Sequence, residues 1–320
     1  MKYQKTHKFT VISTFSGGGG SSCGYIKAGG KVLLAAEYEK NAINTYKANF
    51  PNTPIFTKDI KNLTMGTITK ITNIEKYELD ILDGSPPCQG FSIAGNKNVC
   101  DPRNQLYNEY VRLLKNIQPK TFVMENVKGL ISGKNKVIFK DILTQLKNCG
   151  YNVKARLMNS KWYNTATSRE RVIIIGVRED LKKTPSYPKP EKHTITVKEA
   201  LKDTKPDYKK YLNDTVRRFA KKCKPGESLT KHHPRGSFFN YRMINPNKPL
   251  TTILKNSYNQ MFFEDYRILT PNEAKIISSF PENFKLTGTE AEKFGRVGNA
   301  VPPNMINAIA THIYNNFLKD

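Results

Sequence analysis

Three kinds of side chain stand where they could make and break bonds. Cys88 sits in GSPPCQGFS, with two prolines stiffening the chain before it and a glycine freeing the chain after it. The thiolate is the attacking form of cysteine, and a free thiol has a pKa of about 8.5. A turn near helix N-termini, with arginines close, favours that thiolate. Glu125 emerges from the apolar run of VMENV. Partial desolvation there raises a carboxyl pKa and suits the group to act as an acid. Arg169 and Arg171 alternate in SRERVIIIG, which predicts that both face one side at a strand's start. A nucleophile, an acid and two cations are the parts that covalent catalysis uses. Each residue alone also reads as structure: a packed thiol, a carboxylate capping a helix, arginines on a solvated edge.

A second group points to a cofactor. STFSGGGGSSCGY follows a predicted strand and opens a predicted helix, and its glycines let the backbone approach a bound molecule. The dinucleotide fingerprint requires G-x-G-x-x-G; Gly17 and Gly19 fit, but Ser22 holds the third position, which disfavours a nicotinamide cofactor. Glu37 ends a second strand, where a carboxylate can accept from ribose hydroxyls. Asp59 ends a third, where it can accept from an adenine amino group. Either acid alone is equally a helix cap or a solvated loop charge. Together with the glycine loop they describe a nucleoside-type cofactor.

These residues must be held by a common edge. KFTVISTF, KVLLAAEYE, TPIFTKDI, LDILDGS, KTFVMENV, NVKARLMN and RVIIIGVRE read as strands. Helical patterns lie between several of them; NQLYNEYVRLLKNI puts Leu106, Tyr110, Leu113, Leu114 and Ile117 on one face. This alternation predicts an α/β fold with a parallel, doubly wound sheet, in which ligands sit at the carboxyl ends of strands. Near Pro185 the pattern breaks. Residues 183–266 carry 18 Lys and Arg against 8 Asp and Glu and read as a second, smaller, basic domain. The expected division is 1–182 for the catalytic, cofactor-binding domain, 183–266 for recognition, and 267–320 for a segment returning to the first domain. In that last segment Val301, Met305, Ile309, Ile313 and Phe317 repeat every fourth residue.

Composition limits the partners. The chain has 320 residues, 38% of them hydrophobic, enough for a sizeable core. Its net charge of +25 implies a polyanionic partner, with nucleic acid first, or a lysine-rich genome acting throughout the chain. Charge does not separate DNA from RNA. No apolar run reaches the ~20 residues that span a bilayer. The leading MKYQKTHKFTVIS lacks the apolar stretch of a secretory signal, so the expected location is the cytoplasm. Five scattered cysteines without a CxxC pair imply neither a disulfide framework nor a metal site.

In order, FSGGGG, EYEKNA, KDI, GSPPCQGFS, MENVKG, RERV and GNAVPP resemble the motifs of the C5-cytosine DNA methyltransferase family, of bacterial or phage restriction-modification type. The likeness spans nearly the whole chain apart from the basic segment, and DPRNQLYNEYVRLL and RILTPNEAKIISSFP also resemble family blocks.

The resemblance implies a Rossmann-like S-adenosylmethionine-dependent methyltransferase fold with S-adenosyl-L-methionine as cofactor and S-adenosyl-L-homocysteine as product. It implies that Phe15, Ser16, Gly17, Gly18, Gly19 and Gly20 hold the cofactor, with Glu37 on the ribose and Asp59 on the adenine. Tyr38 and Ile60 would flank the adenine; Pro86, Leu106, Asn299 and Ala300 would complete the site. Cys88 would attack carbon 6 of a cytosine flipped from duplex DNA, Glu125 would act at N3, Arg171 at O2, and Arg169 would orient the site. Gln89 and Ser92 would contact the DNA strand, and Arg235 and Arg242 would belong to the recognition region. The implied protein is a monomer in a prokaryotic cell or phage-infected host, with a cognate restriction endonuclease acting alongside it without a stable complex.

One stretch departs from the family pattern. YNTATSRER has Asn164, Ala166 and Thr167 where Gly, Pro and Gln are usual. A tRNA-modifying branch of the same scaffold usually carries Cys-Phe-Thr in its recognition region; here Cys223 precedes Lys224 and Pro225. A DNA-binding regulator without catalysis is the remaining, non-enzymatic alternative.

Overall fold

The computed structural model describes residues 7–87, 106–133, 135–234, 236 and 241–319. Cys88, Gln89, Ser92 and Arg235 lie outside the described residues. The chain divides into two compact units: residues 1–159, 170–189 and 306–320 form one, residues 160–169 and 190–305 the other.

The first unit is built on a seven-stranded sheet. In chain order it contains β1 (Phe9–Thr14), α1 (Gly20–Lys27), β2 (Gly30–Ala36), α2 (Lys40–Asn49), β3 (Ile55–Phe56) and α3 (Met65–Thr72). Then come β4 (Ile81–Gly84), α4 (Leu106–Ile117), β5 (Thr121–Val127), α5 (Asn135–Lys147) and β6 (Tyr151–Asn159). The short β7 (Thr167–Ser168) belongs to the second unit, and β8 (Glu170–Arg178) returns to the sheet. The strand order is β3-β2-β1-β4-β5-β8-β6.

The first five strands of that order are parallel, as the alternation of strands and helices predicts. The expectation of a wholly parallel sheet needs correction: β8 runs antiparallel to both β5 and β6. The cause is local. Between β6 and β8 stand only residues 160–169, with no crossover helix, and a parallel pair needs such a crossover.

The central strands read as continuous apolar runs because both of their faces are buried. α4 presents Tyr110, Leu113, Leu114 and Ile117, all wholly buried, to the core on the predicted face. Phe122 of β5 packs edge-on against Tyr151, ring centroids 5.2 Å apart. Its ring lies directly over Gly176 of β8, where no side chain fits. Gly150, with φ of +89°, turns the chain from the end of α5 into β6.

The second unit contains α6 (Val197–Ala200), α7 (Asp214–Ala220), β9 (Arg242–Met243), β10 (Leu250–Thr251) and β11 (Met261–Phe262). α8 (Pro271–Ile277) and α9 (Glu290–Asn299) follow, each started by a threonine capping box. One cluster joins Ile253, Leu269, Ile277, Phe294 and Val297; another joins Leu212, Val216, Leu229 and Phe262. The compact unit therefore extends beyond 183–266: residues 190–305 cluster together, and from Ile306, within α10 (Pro303–Ile313), the chain rejoins the first unit. The fourth-residue repeat in this region is buried throughout, from Val301 to Phe317. Among the described residues no helix is long and apolar enough to cross a membrane.

Gly176→Ala forces a methyl group into the Phe122 ring, so it is expected to lower the unfolding free energy by about 1–3 kcal/mol. Urea unfolding followed by circular dichroism measures this.

Candidate active site

Strand register brings the candidate residues to one edge. Thr14 pairs with Ala36 on one side and Gly84 on the other; Ala36 pairs with Phe56, and Gly84 with Met124. Phe15, Glu37, Ser85 and Glu125 each follow one of these aligned residues. A slip of one residue in any pair would turn the side chains of that strand over.

At this edge lies a cavity of about 410 Å³, lined by Phe15, Ala36, Glu37, Tyr38, Glu39, Lys58, Asp59, Ile60, Pro87 and Leu106. Its size falls within the range for small-molecule sites. Phe15 holds a left-handed backbone, φ +53°, a conformation that costs a non-glycine residue about 1–2 kcal/mol. Gly17 and Gly19, at +55° and +97°, complete the bend into α1. Glu37 braces that bend: Oε2 accepts from the Gly17 N–H at 2.7 Å, and Oε1 from Tyr38 and Glu39 N–H at 2.8 Å each.

Asp59 caps a short 3-10 turn through the Lys61 N–H. Arg112 of α4 pins that turn by donating to the Ile60 and Leu63 carbonyls while paired with Glu109. Apolar walls from Phe15, Ile60, Pro87 and Leu106 with carboxylates at the rim suit a nucleoside: a flat ring between the walls, polar groups on the acids. A carboxylate has about four acceptor positions. With three of Glu37's taken by backbone N–H groups, room remains for a ligand hydroxyl.

Of the sequence-predicted cofactor residues, Phe15, Glu37, Tyr38, Asp59, Ile60 and Leu106 line this cavity. Ser16 and Gly17–Gly20 form the loop beneath it, Ser16 N–H donating to the Ala36 carbonyl. Pro87 rather than Pro86 reaches the lining; the Pro86 carbonyl accepts from Asn126 Nδ2 at 3.2 Å. Asn126 thus ties the end of β5 to the turn entering Cys88. Sequence reasoning used only the glutamate of MENV. It also passed over Lys58, whose cavity position carries no distinguishing signal.

Glu125 and Arg171 meet: Arg171 Nε lies 2.7 Å from Glu125 Oε1, both side chains mostly buried. The sheet makes the pair, because Arg171 opposes Val127 and Glu125 opposes Ile173 in the antiparallel ladder. Arg169 does not share the strand. It falls between β7 and β8, in the second unit, where its guanidinium donates to the Ile253 carbonyl. The expected alternation of the two arginines on one strand face is corrected accordingly: β8 begins at Glu170.

Also in the second unit, Asn299 closes α9 and Ala300 caps it, while Arg242 donates to the Gly226 carbonyl. Asn164, at the family's usual glycine position, adopts φ +50°. Asparagine is among the few non-glycine residues that tolerate this conformation.

A buried acid escaped the sequence reading. Asp83 of β4 is 2% exposed. It accepts from Ser13 Oγ at 2.8 Å and from Tyr25 OH at 3.0 Å. Burial pushes its carboxyl up to about 7, with the Glu125 charge adding to the rise and both hydroxyls opposing it. The signal was its place inside the apolar LDILDG run. Burial also raises the three described thiols, Cys23 to about 11 and Cys149 and Cys223 likewise upward, so none of these is prepared as a nucleophile.

A family model described as C-5 cytosine-specific DNA methylase matches residues 9–315. The chain is 32% identical over 336 residues to the Type II methyltransferase M.FnuDI of Fusobacterium nucleatum, covering 95% of this chain and 93% of that one. It is 32% identical over 322 residues to M1.HphI of Haemophilus parahaemolyticus, covering 94% and 85%. A candidate DNA modification methyltransferase encoded within an E. coli prophage superposes with a TM-score of 0.81 at 26% identity, covering 98% and 100%. A Spodoptera frugiperda DNMT2 mutant shares the fold, with a TM-score of 0.73 at 19% identity over 97% and 100%.

Arg171→Ala strands the Glu125 carboxylate without its cation and is expected to cost about 3 kcal/mol of stability, part of which returns in the Arg171→Ala/Glu125→Ala double variant. Urea titrations of the set measure it. For Asp83, the folded pKa of about 7 exceeds the unfolded value of about 3.9, so the native state binds the proton more tightly. Its stabilising contribution is full below about pH 4 and is lost as pH rises through about 7. Asp83→Asn is therefore expected to raise the melting temperature relative to wild type more at pH 8 than at pH 5, measured by calorimetry.

Proposed function

Because the chain belongs to the C-5 cytosine-specific DNA methylase family and is a DNA (cytosine-5-)-methyltransferase, we propose that it works by covalent attack of Cys88 on a flipped-out cytosine, with S-adenosyl-L-methionine as donor. The observation that carries this reading is the nucleoside-shaped cavity whose lining includes Pro87, the residue bonded to Cys88.

The cofactor supplies an electrophilic methyl group. Tyr38 and Ile60 would flank the adenine, Asp59 would accept from its amino group, Glu37 would accept from the ribose, and Phe15 with the Gly17–Gly20 loop would hold the methionine and adenosine parts. Asn299 and Ala300, at the end of α9, are assigned to the donor by the family motif GNAVPP alone.

Carbon 5 of cytosine is a weak nucleophile. The Cys88 thiolate forms a bond to carbon 6, and the displaced electrons make carbon 5 enamine-like. Glu125, held by Arg171, delivers or shares a proton at N3 and so neutralises the charge that the ring acquires. Arg171 supports the O2 side, and Arg169 orients the site. Carbon 5 then takes the methyl group. Loss of its proton, with the S–C6 bond breaking towards sulfur, restores the aromatic ring.

Carbon 6 is inaccessible within a stacked duplex, so the base leaves the helix, at a cost of a few kcal/mol. Phosphate contacts from a chain of net charge +25 offset that cost. Residues 183–266 act as the recognition region, with Arg235 and Arg242 among its contacts, and Gln89 and Ser92 touch the strand beside the target. The protein acts as a monomer in the cytoplasm of a prokaryotic cell or phage-infected host, with a cognate endonuclease cutting unmodified DNA independently.

A duplex containing 5-fluorocytosine at the recognition site, mixed with donor, is expected to trap a covalent adduct stable to denaturing electrophoresis. Cys88→Ser should form none. Adduct formation by the serine variant, or methyl label on N4 of cytosine, would overturn the mechanism.

A further inference from the structure

The ends of β1 and β4 are joined by more than their ladder. Asp83 stands opposite Ser13 in the parallel register, and its carboxyl accepts from Ser13 Oγ and from Tyr25 OH of α1. One residue further on, the Thr14 hydroxyl donates to the Asp83 carbonyl at 2.9 Å. Tyr110 OH of α4 lies within 3.1 Å of the Leu82 carbonyl and 3.3 Å of the Val123 carbonyl, so it spans β4 and β5. A Cβ at Gly84 would meet the Tyr110 ring at 2.5 Å and Thr14 Oγ1 at 2.6 Å, so only glycine admits both.

Two segments leave this cluster in the direction of the edge. After Ser13 and Thr14 the chain enters the Phe15–Gly20 loop; after Asp83 and Gly84 it enters Ser85–Pro87 and then Cys88. No ion pair reaches Asp83 among the described residues, so the carboxyl has no cation to justify its burial as a salt bridge. A buried acid without a counter-charge is an expensive way to fill a sheet. An apolar residue would fill the space, but it would not hold Ser13, Tyr25 and β4 in one geometry.

We propose that Asp83 is a positioning residue for methyl transfer: through Ser13 and Tyr25 it fixes the strand end that feeds the donor loop against the strand end that feeds the Cys88 turn. This rests on the function proposed above. The group touches neither donor nor base. It aligns the segments that carry them, and alignment is expressed in turnover rather than in ground-state binding.

The arrangement also gives the alignment a dependence on pH. Facing Asp83 are Ser13 from β1, Tyr25 from α1, Tyr46 from α2, Tyr110 from α4 and Glu125 from β5. The three phenols are pushed above their usual range by burial and stay neutral. Glu125 is ion-paired with Arg171. Asp83, moved by burial to about 7, changes charge near neutrality, and ionisation replaces a shared proton with two hydroxyls both donating to an anion.

The test is steady-state methyl transfer from tritiated S-adenosyl-L-methionine to unmethylated genomic DNA between pH 5.5 and 9, by full-length wild type, Asp83→Asn, Asp83→Ala and Tyr25→Phe, with the labelled base identified after hydrolysis. Asp83→Ala is expected to lower kcat by about 10-fold or more while donor KM changes less than about 3-fold. Asp83→Asn, which keeps the volume and one acceptor, should recover most of kcat but lose an inflection near pH 7 that wild type shows. Tyr25→Phe should fall between them. A merely structural role would lower melting temperature without separating kcat from KM or altering the pH profile. If wild type labels carbon 5 and Asp83→Ala matches its kcat, or Asp83→Asn keeps the inflection, this inference fails and the proposed function stands. If wild type labels no cytosine carbon 5, both fail.

Discussion

The parallel register of β3, β2, β1, β4 and β5 is the constraint on which the site depends. Its aligned strand ends deliver the bend at Phe15, the acid at Glu37, the proline turn after Gly84 and the carboxylate of Glu125 to one edge. None of these side chains could find the others through local sequence. Glu37 and Glu125 are 88 positions apart. Hydrophobic burial of near-continuous apolar strands holds the register, and the polar groups at the edge are positioned by it at little cost to themselves.

Three carboxylates at or beneath this edge have different electrostatic settings, and those settings match different uses. Glu37 accepts from three backbone N–H groups and acts as a brace with room for a hydroxyl. Glu125 has a guanidinium at 2.7 Å, which keeps its carboxyl in a fixed orientation. Asp83 has hydroxyls in place of a cation and sits near its titration point at neutral pH. Environment rather than residue type separates their roles.

Much of this was legible in the chain. Apolar runs and glycines located the strands and the donor loop, and the helical face of α4 was read residue by residue. The cavity residues at strand ends could be named because a parallel sheet puts ligands there. The antiparallel β8 was not legible, since its composition matches that of a parallel strand and only the missing crossover helix distinguishes it. The separation of Arg169 from Arg171 followed from the same cause: alternation in a sequence says nothing about where a strand begins. Asn126 and the Ser13–Tyr25–Asp83 cluster escaped because their partners are 40 to 70 residues away. The compact units divide at 190 and 306, positions that composition does not mark, because packing rather than composition draws them.

The first unit is assembled from three separate stretches of chain, with the third beginning at residue 306. During synthesis at about 5–20 residues per second, everything from residue 190 to residue 305 must be made after most of the sheet exists and before its last buried helix can dock. Ile309 and Ile313, both wholly buried, can therefore reach their places only after residues 190–305 have been synthesised.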